Sequence, residues 1–426
     1  MSARANPPPA DIRIDDLAHP RMPAGFDEIA TSLAPVADAL VFEPAALVDA
    51  ACKKTGLDDF GPSGWQEGLD VFLQGLRAGP ALSPLGKLTS FQAAQAFLEN
   101  RLRLEALIAA HPEIEGLELE PPIVIAGLPR SGTTHLHNCF GADPRLRHLP
   151  WWEALEPIPD PAERPGPDGV DPRWTRAQAG IDARNRVLPH FDAMHEMTVD
   201  HVHEEIHLLG MDFGTMFFEN MGVGISPLYR DWFRGRDQTP HYRYLKRVLQ
   251  ALSWLRGPRR WVLKSPQHLE QFGPLTTVFP DATVVVTHRD PVSTVASFST
   301  MVAYTMRMAA AQCDPKRIGH YWADRIEMML QACTRDRDRL PAERSLDVLF
   351  HEYMGAELDV VKRIYALAEM PFDAATQRGI DEYNRTHPRG RFGRVLYDLA
   401  DFELDGAELR ERFRFYTDRF PVRLES

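Results

Sequence analysis

The segment Gly127–Thr134, with the sequence GLPRSGTT, constrains the fold of this chain more than any other. It follows the apolar run 122–126 (PIVIA), which is typical of a buried parallel strand, and it precedes residues 134–140, which can begin a helix. A strand, a glycine turn and a helix start together bring several backbone N–H groups and the positive end of a helix dipole to one point. The segment therefore predicts an anion-binding loop.

The spacing of the two glycines matches the phosphate loop of nucleotide-binding enzymes, but the residues that follow the second glycine do not. That loop continues with Lys and then Ser or Thr, whereas this chain has Thr133 and Thr134. The cation lies inside the loop instead, at Arg130. This arrangement favours a phosphate or sulfate group that is not part of a metal-bound triphosphate.

Three further apolar runs have the pattern of short strands. They lie at residues 260–264, 282–287 and 346–350. Helical segments separate them, which implies a parallel sheet with helices on both faces, and ligands bind such sheets at the carboxyl ends of the strands. Polar motifs follow two of these strands, at 264–268 and 288–297. We therefore expect both motifs to meet the glycine loop in one crevice.

The predicted fold class is α/β, a P-loop-like parallel β-sheet flanked by helices, with large helical insertions or a cap. Residues 1–23 are polar and proline-rich and predict a flexible N-terminal arm. Residues 24–118 read as a helical region, in which a capping box predicts a helix start at Thr89. The α/β domain is expected at 119–426, with a helical insertion at about 157–256.

Charge and composition exclude several classes of partner. The net charge of −12 and the pI of about 5.7 argue against a nucleic-acid partner and against a polybasic membrane anchor. No run approaches the ~18 apolar residues that a membrane span needs. The four cysteines are far apart in sequence and form no C-x-x-C pair, which is typical of reduced thiols. We expect a soluble, cytoplasmic protein, and the sequence leaves open whether it forms an oligomer.

Three motifs together resemble those of the sulfotransferases that use 3′-phosphoadenosine-5′-phosphosulfate (PAPS). The loop 129–134 (PRSGTT) resembles the family's 5′-phosphosulfate loop. Arg289, followed eight residues later by Ser297, is similar to its 3′-phosphate motif. Residues 261–270, with LKSPQH, look like the element that reaches the sulfate in a bacterial branch. The resemblance covers about 120–420 and implies a PAPS-dependent sulfotransferase that needs no metal and acts on a hydroxyl or amine of a small-molecule acceptor.

The resemblance also implies which residues bind the donor and the acceptor. Helical segments 26–111 and 174–256 are expected to form the acceptor pocket. A glycine-rich basic segment near the C-terminus resembles the loop that closes over the 3′-phosphate. The residues expected to bind the donor are Arg130, Ser131, Gly132, Thr133, Thr134, Arg289, Ser297, Arg389 and Gly390.

Sulfuryl transfer needs charge stabilisation and a base. Arg130 and Lys264 are candidates to stabilise the oxygens of the transferring group, because fixed cations can replace a metal where less charge is neutralised. His268 is the first candidate base, Glu204 the second and Glu153 the third. In much of the family the catalytic histidine lies two residues after the corresponding lysine, where this chain has proline.

Three other interpretations remain open from the sequence. A P-loop nucleotide kinase-like phosphotransferase would need the missing loop lysine. A zinc enzyme is suggested by residues 203–207 (HEEIH), which satisfy H-E-x-x-H and would place His203 and His207 on one face of a helix. A non-catalytic nucleotide-binding protein would bind the donor without turnover.

Overall fold

The computed structural model of the chain describes residues 10–222 and 224–425. Its strands are short, as is usual where helices form the crossovers between parallel strands. They are β1 (Ile12–Arg13), β2 (Ile123–Gly127), β3 (Leu146–Arg147), β4 (Leu149–Pro150), β5 (Val202–His203), β6 (Arg260–Lys264), β7 (Thr283–His288), β8 (Ser345–Leu349) and β9 (Val395–Leu396).

Helices form most of the remaining structure and fall into three groups along the chain. Those before β2 are α1 (Phe26–Asp38), α2 (Pro44–Thr55), α3 (Trp65–Ala78) and α4 (Pro84–Ala110). Those between β2 and β6 are α5 (Thr133–Gly141), α6 (Trp151–Leu155), α7 (Pro172–Val187), α8 (Phe191–Met194), α9 (Ile206–Gly210), α10 (Phe217–Asn220), α11 (Pro227–Arg234) and α12 (Thr239–Arg256). Those after β6 are α13 (Phe272–Val278), α14 (Pro291–Met306), α15 (Pro315–Asp336), α16 (Phe350–Gly355), α17 (Glu357–Leu367), α18 (Ala374–Thr386), α19 (Gly406–Arg412) and α20 (Arg414–Thr417).

The central sheet is five-stranded and parallel, in the order β3-β6-β2-β7-β8. Every residue of β2 and of β7 is buried, because helices cover both faces of the sheet. The chain leaves β2 in the middle of the sheet and returns on both sides of it, which creates a crevice at the carboxyl end of β2. The predicted α/β fold class with large helical insertions is confirmed.

The N-terminal helices share a core with the sheet. One hydrophobic cluster contains Phe72 and Leu98 from these helices and Val124 and Val284 from the sheet. The helices therefore form a cover over one face of the sheet, whereas the predicted division at residue 118 stays a prediction.

The start of α4 differs from the prediction. The helix begins at Pro84, and the Ser83 hydroxyl caps it by accepting a hydrogen bond from the Gly86 N–H group at 2.9 Å. Thr89 lies inside the helix and donates to the Leu85 carbonyl instead. The predicted start at Thr89 is wrong because serine followed by proline already forms an N-cap and first helical position six residues earlier.

The N-terminal segment is attached to the rest of the protein from residue 10 onward. Ile12 pairs with Val395 in the β1–β9 ladder, Leu17 is buried, and Asp16 accepts a hydrogen bond from Arg307 at 2.9 Å. The described part of the predicted arm is therefore attached to the rest of the protein, its flexibility stays a prediction, and residues 1–9 lie outside the described residues.

The length and polarity of a helix decide whether it can cross a membrane. Among residues 10–222 and 224–425, no helix combines the length and the apolar character that crossing a bilayer requires.

The four cysteines are free thiols: Cys52, Cys139, Cys313 and Cys333.

Candidate active site

A cavity of about 1030 Å³ lies at the carboxyl ends of the parallel strands. The loop after β2 lines it with Arg130 and Thr134, the segment after β6 with Pro266, and the segment after β7 with Arg289. The three sequence motifs therefore meet in one crevice, as predicted.

The conformation of the glycine loop requires glycine at positions 127 and 132. Gly132 has a φ of +85°, in the left-handed region that favours glycine, and it precedes α5 directly. A Cβ atom at Gly127 would lie 1.9 Å from the Thr287 hydroxyl oxygen, so the strand end also requires glycine. The buried Ser131 hydroxyl donates to the Leu128 carbonyl at 2.6 Å and closes the turn. These contacts fix the loop around the start of α5.

The start of α5 is the anion-binding element of this loop. The first N–H groups of a helix have no acceptor within the helix, and they lie at its positive end. Thr133 and Thr134 provide the first of these groups, and both residues line the cavity. A phosphate or sulfate group in the cavity can accept hydrogen bonds from them.

Arg130 reaches across the cavity. Its Nε atom donates to the Ser297 hydroxyl at 3.0 Å, and its Nη2 atom donates to the Tyr397 hydroxyl at 3.1 Å. The remaining nitrogen donates to the Met194 carbonyl. Ser297 was expected to act with Arg289, but in this structure its partner is Arg130, because the long arginine side chain folds back over α14.

Arg289 lies next to the glycine loop and already holds an anion. It donates through Nε and Nη2 to the two carboxylate oxygens of Glu425, at 2.6 Å each, and through Nη1 to the Arg130 carbonyl. Ser293 adds a hydrogen bond to the same carboxylate at 3.2 Å. Arginine binds carboxylate and phosphate groups in the same bidentate manner. The Arg289 site is therefore an anion site beside the first one.

Lys264 and Glu204 form an ion pair at the wall of the cavity. Lys264 ends β6, its side chain is 2% exposed, and its ammonium group donates to the Glu204 carboxylate. The same ammonium group lies 3.4 Å from the Thr134 hydroxyl oxygen at the start of α5. Glu204 keeps 22% of its side chain exposed and lines the cavity. A cation and a carboxylate therefore stand together beside the anion-binding loop.

Glu205 is a residue that the sequence reasoning missed. It is buried, accepts a hydrogen bond from the Lys264 N–H group at 2.8 Å, and bonds to His268 Nε2 at 2.5 Å. Burial by itself would raise the pKa of Glu205, but His268 and the hydrogen bonds lower it overall. The carboxylate therefore fixes the end of β6 where Lys264 projects. The adjacent pair Glu204 and Glu205 was a signal, but the sequence does not say which of the two points inward.

His268, the first-ranked base, is fully buried. Its Nδ1 atom bonds to the Tyr242 hydroxyl at 2.6 Å, and its Nε2 atom bonds to Glu205. Both ring nitrogens are thus used within the protein, and His268 does not line the cavity. His268 therefore does not reach the cavity in this geometry, and its role as the base stays a prediction that these contacts do not support. The hydrogen bond to Glu205, a residue distant in sequence, holds the ring in the core.

Glu153, the third-ranked base, is also buried away from the cavity. Its carboxylate is paired with Arg147 and with Arg256, the latter at 3.2 Å. Glu153 therefore does not reach the cavity, whereas Glu204 does, and the role of either carboxylate as the base stays a prediction.

Residues near the C-terminus close one side of the cavity. Arg389 and Gly390 line it, and the Arg389 guanidinium lies 3.8 Å from Glu357. This position agrees with a loop that covers a bound anion, and their role in donor binding stays a prediction.

The zinc interpretation fails on secondary structure. His203 belongs to β5, and α9 begins only at Ile206, so the H-E-x-x-H residues do not share a helix. His203 Nε2 is hydrogen-bonded to His207 Nδ1 at 3.0 Å. In the described part of the chain, the group of three side chains that could hold a metal ion is elsewhere, at His135, Cys139 and Glu357.

The structure is an α/β fold with a cavity that contains cationic side chains at the carboxyl end of its central strand. Residues 121–374, more than half of the chain, match the model of the sulfotransferase family, and the chain belongs to that family. No curated protein matches the sequence.

Two solved structures resemble this protein closely over most of its length. The sulfotransferase STF9 from Mycobacterium avium is 28% identical, with a TM-score of 0.80, and the match covers 91% of this chain and 99% of that one. The sulfotransferase STF1 from Mycobacterium tuberculosis H37Rv is 27% identical, with a TM-score of 0.75, over 86% of this chain and 97% of that one. The similarity therefore includes the N-terminal helices as well as the part that the family model matches.

Proposed function

We propose that this protein transfers a sulfuryl group from PAPS to a hydroxyl or amine of a small-molecule acceptor. The observation that carries the proposal is the pair of anion sites in one crevice, the start of α5 and the Arg289 guanidinium. PAPS carries a phosphosulfate and a separate 3′-phosphate, and these two groups need two such sites.

The cavity suits a donor of this kind. Thr133 and Thr134 would bind the phosphosulfate, with Arg130 above them, and Arg289 would bind the 3′-phosphate after Glu425 leaves it. Glu425 supports this assignment because its carboxylate shows that Arg289 accepts a bidentate anion. The volume of about 1030 Å³ reaches the upper end of the range for single ligand pockets, about 300–1,000 Å³, which leaves room for an acceptor as well.

Glu204, Lys264 and Arg130 have different roles in the proposed reaction. The acceptor oxygen or nitrogen bonds to sulfur while the bond from sulfur to the 5′-phosphate oxygen breaks, and the acceptor proton goes to the Glu204 carboxylate. Lys264 and Arg130 stabilise the oxygens of the transferring sulfuryl group, over which negative charge is spread during the transfer. Lys264 is paired with Glu204 in this structure. A sulfate beside Thr134 would draw the ammonium group away and leave the carboxylate free to accept the proton.

Thermal unfolding with two ligands separates this proposal from the kinase interpretation. Adenosine 3′,5′-bisphosphate (PAP), the product of the donor, is expected to raise the Tm, because a ligand at 100 times its Kd stabilises the folded state by about 2.7 kcal/mol. ATP with magnesium is expected to raise it much less, because the loop lacks its lysine. A larger shift with ATP and magnesium would favour the kinase, and PAP binding without turnover of any acceptor would favour a non-catalytic protein.

Replacing Arg289 by alanine is expected to weaken PAP binding by about 2–4 kcal/mol, because one partner of a buried charge pair is removed. Isothermal titration calorimetry of PAP measures the change directly. Glu425→Gln is the informative counterpart: it removes the carboxylate that competes for Arg289, so PAP should bind more tightly. The matched control is Arg423→Ala, which changes an exposed arginine two residues before Glu425 in the sequence. Unchanged PAP affinity in Arg289→Ala would reject the 3′-phosphate role.

A further inference from the structure

The part of the cavity away from the glycine loop has an apolar wall. Methionine and aromatic side chains dominate it, and such walls adapt to apolar ligands of irregular shape. Representative residues are Trp151, Met216, Phe217, Phe298, Met301 and Met306.

Histidines are the main polar groups in this wall, and they are uncharged. His195, His201, His203 and His207 all line the cavity. Burial lowers the pKa of each of them, to about 3 for His201 and about 4 for His207. A neutral imidazole donates one hydrogen bond and accepts another, as a hydroxyl group does, without requiring a counter-ion.

The carboxylates that line the cavity already have partners. Asp192 is paired with Arg184 at 3.1 Å, Glu196 is paired with Arg391, and Glu204 is paired with Lys264. The fourth, Asp200, accepts a hydrogen bond from the Trp174 indole at 3.2 Å. Asp192 and Glu196 are thus neutralised by arginines and Glu204 is the proposed base, so a cationic acceptor would find at most Asp200 as a counter-charge.

The arginines that line the cavity are paired with carboxylates or belong to the donor site, so an acidic acceptor would find no free counter-charge among them. Arg391 is paired with Glu196, and Arg389 lies near Glu357. Arg130 and Arg289 belong to the two anion sites that the donor requires. The remaining surface is apolar or neutral, and placing an unpaired charge against it is costly.

His201 is the histidine best placed to hold an acceptor hydroxyl. Its ring, like that of His195, makes no hydrogen bond to any residue of 10–222 or 224–425, whereas the His203 and His207 rings bond to each other at 3.0 Å. His201 directly precedes β5 and Glu204 directly follows it, and both residues line the cavity. A hydroxyl bound to His201 thus lies on the same side of the cavity as the proposed base.

We propose that the acceptor is an uncharged, largely apolar alcohol or phenol, and that His201 hydrogen-bonds to the hydroxyl that is sulfated. This inference rests on the proposed function and narrows it, since it excludes amines, acids and free sugars as preferred acceptors.

Three phenols that differ only at one end test the acceptor class: 4-ethylphenol, tyramine and 3-(4-hydroxyphenyl)propionate, with glucose as a polar alcohol. Calorimetric binding to the full-length protein saturated with PAP, and turnover with PAPS, are both measured. The neutral phenol should exceed each of the others by at least about tenfold, because they bring charge or polar groups to an apolar wall. Preference for a charged phenol or glucose, or no binding of any probe, would overturn the proposal. PAP binding in the same titrations reports on the proposed function separately.

Two substitutions at His201 test its role. His201→Phe should raise the KM for 4-ethylphenol about three- to tenfold, the value of one hydrogen bond, while PAP affinity stays unchanged. His201→Asn keeps a polar group and should recover part of the loss. His320→Phe, at an exposed histidine of α15, is the matched control. An unchanged KM in His201→Phe, or an equal loss of PAP affinity, would reject the assignment.

Discussion

Replacing Glu204 by glutamine is expected to lower kcat by about two to four orders of magnitude, the contribution of a positioned general base. Glutamine has nearly the same shape but cannot accept a proton at neutral pH. Its amide also cannot form the ion pair with Lys264, so PAP affinity should change little or rise slightly. Steady-state kinetics with PAPS, together with calorimetry of PAP, separates the two effects.

Two other carboxylates provide the comparison for this result. Glu196 lines the same cavity but is paired with Arg391, so Glu196→Gln should retain most of its turnover. Glu153 is buried between Arg147 and Arg256, so Glu153→Gln should lower the free energy of unfolding. The kcat per folded molecule should stay nearly unchanged. A Glu204→Gln variant with near-normal kcat would exclude Glu204 as the base and return the question to another group in the cavity.

The sequence predicted the elements that frame the site because their signals are local. The strands β2 and β7 are buried on both faces and therefore appear as continuous apolar runs. The start of α14 follows from Asp290 and Pro291, and Asp290 does accept a hydrogen bond from the Val292 N–H group at 3.1 Å. Parallel strands then bring their carboxyl ends to one edge, which is why the sequence alone places the three motifs in one crevice.

The sequence could not predict which side chains face the cavity, because that depends on tertiary packing. His268 and Glu205 are 63 residues apart, and their hydrogen bond holds the histidine ring in the core, away from the cavity. The contact of Glu425 with Arg289 spans 136 residues. The two-residue strand β5 carries too little periodicity to be recognised, so residues 203–207 were compatible with a helix and with a zinc site. These errors have one cause, since a local pattern fixes an element but not the direction of a side chain at its end.

Replacing Lys264 by methionine is expected to lower kcat by about two to three orders of magnitude, because a fixed charge next to the developing negative charge is lost. Methionine keeps the apolar stem in a site where the lysine side chain is only 2% exposed, so the fold should be retained. PAP affinity should fall much less than turnover, because PAP lacks the sulfuryl group beside which the ammonium group lies. Steady-state kinetics and PAP calorimetry on the same preparation measure both quantities.

A second readout distinguishes loss of charge at Lys264 from a general disturbance. Burial first, and then the charge of Lys264, keeps the pKa of His201 low, at about 3. Removing the charge should therefore raise the pKa of His201, and NMR titration of its ring would detect the rise. Lys53→Met, at an exposed lysine of α2 that is paired with Asp49, should change neither kcat nor this pKa. If Lys264→Met lowered PAP affinity and kcat by the same factor, Lys264 would be a residue that binds the donor in its ground state and not one that stabilises the transfer.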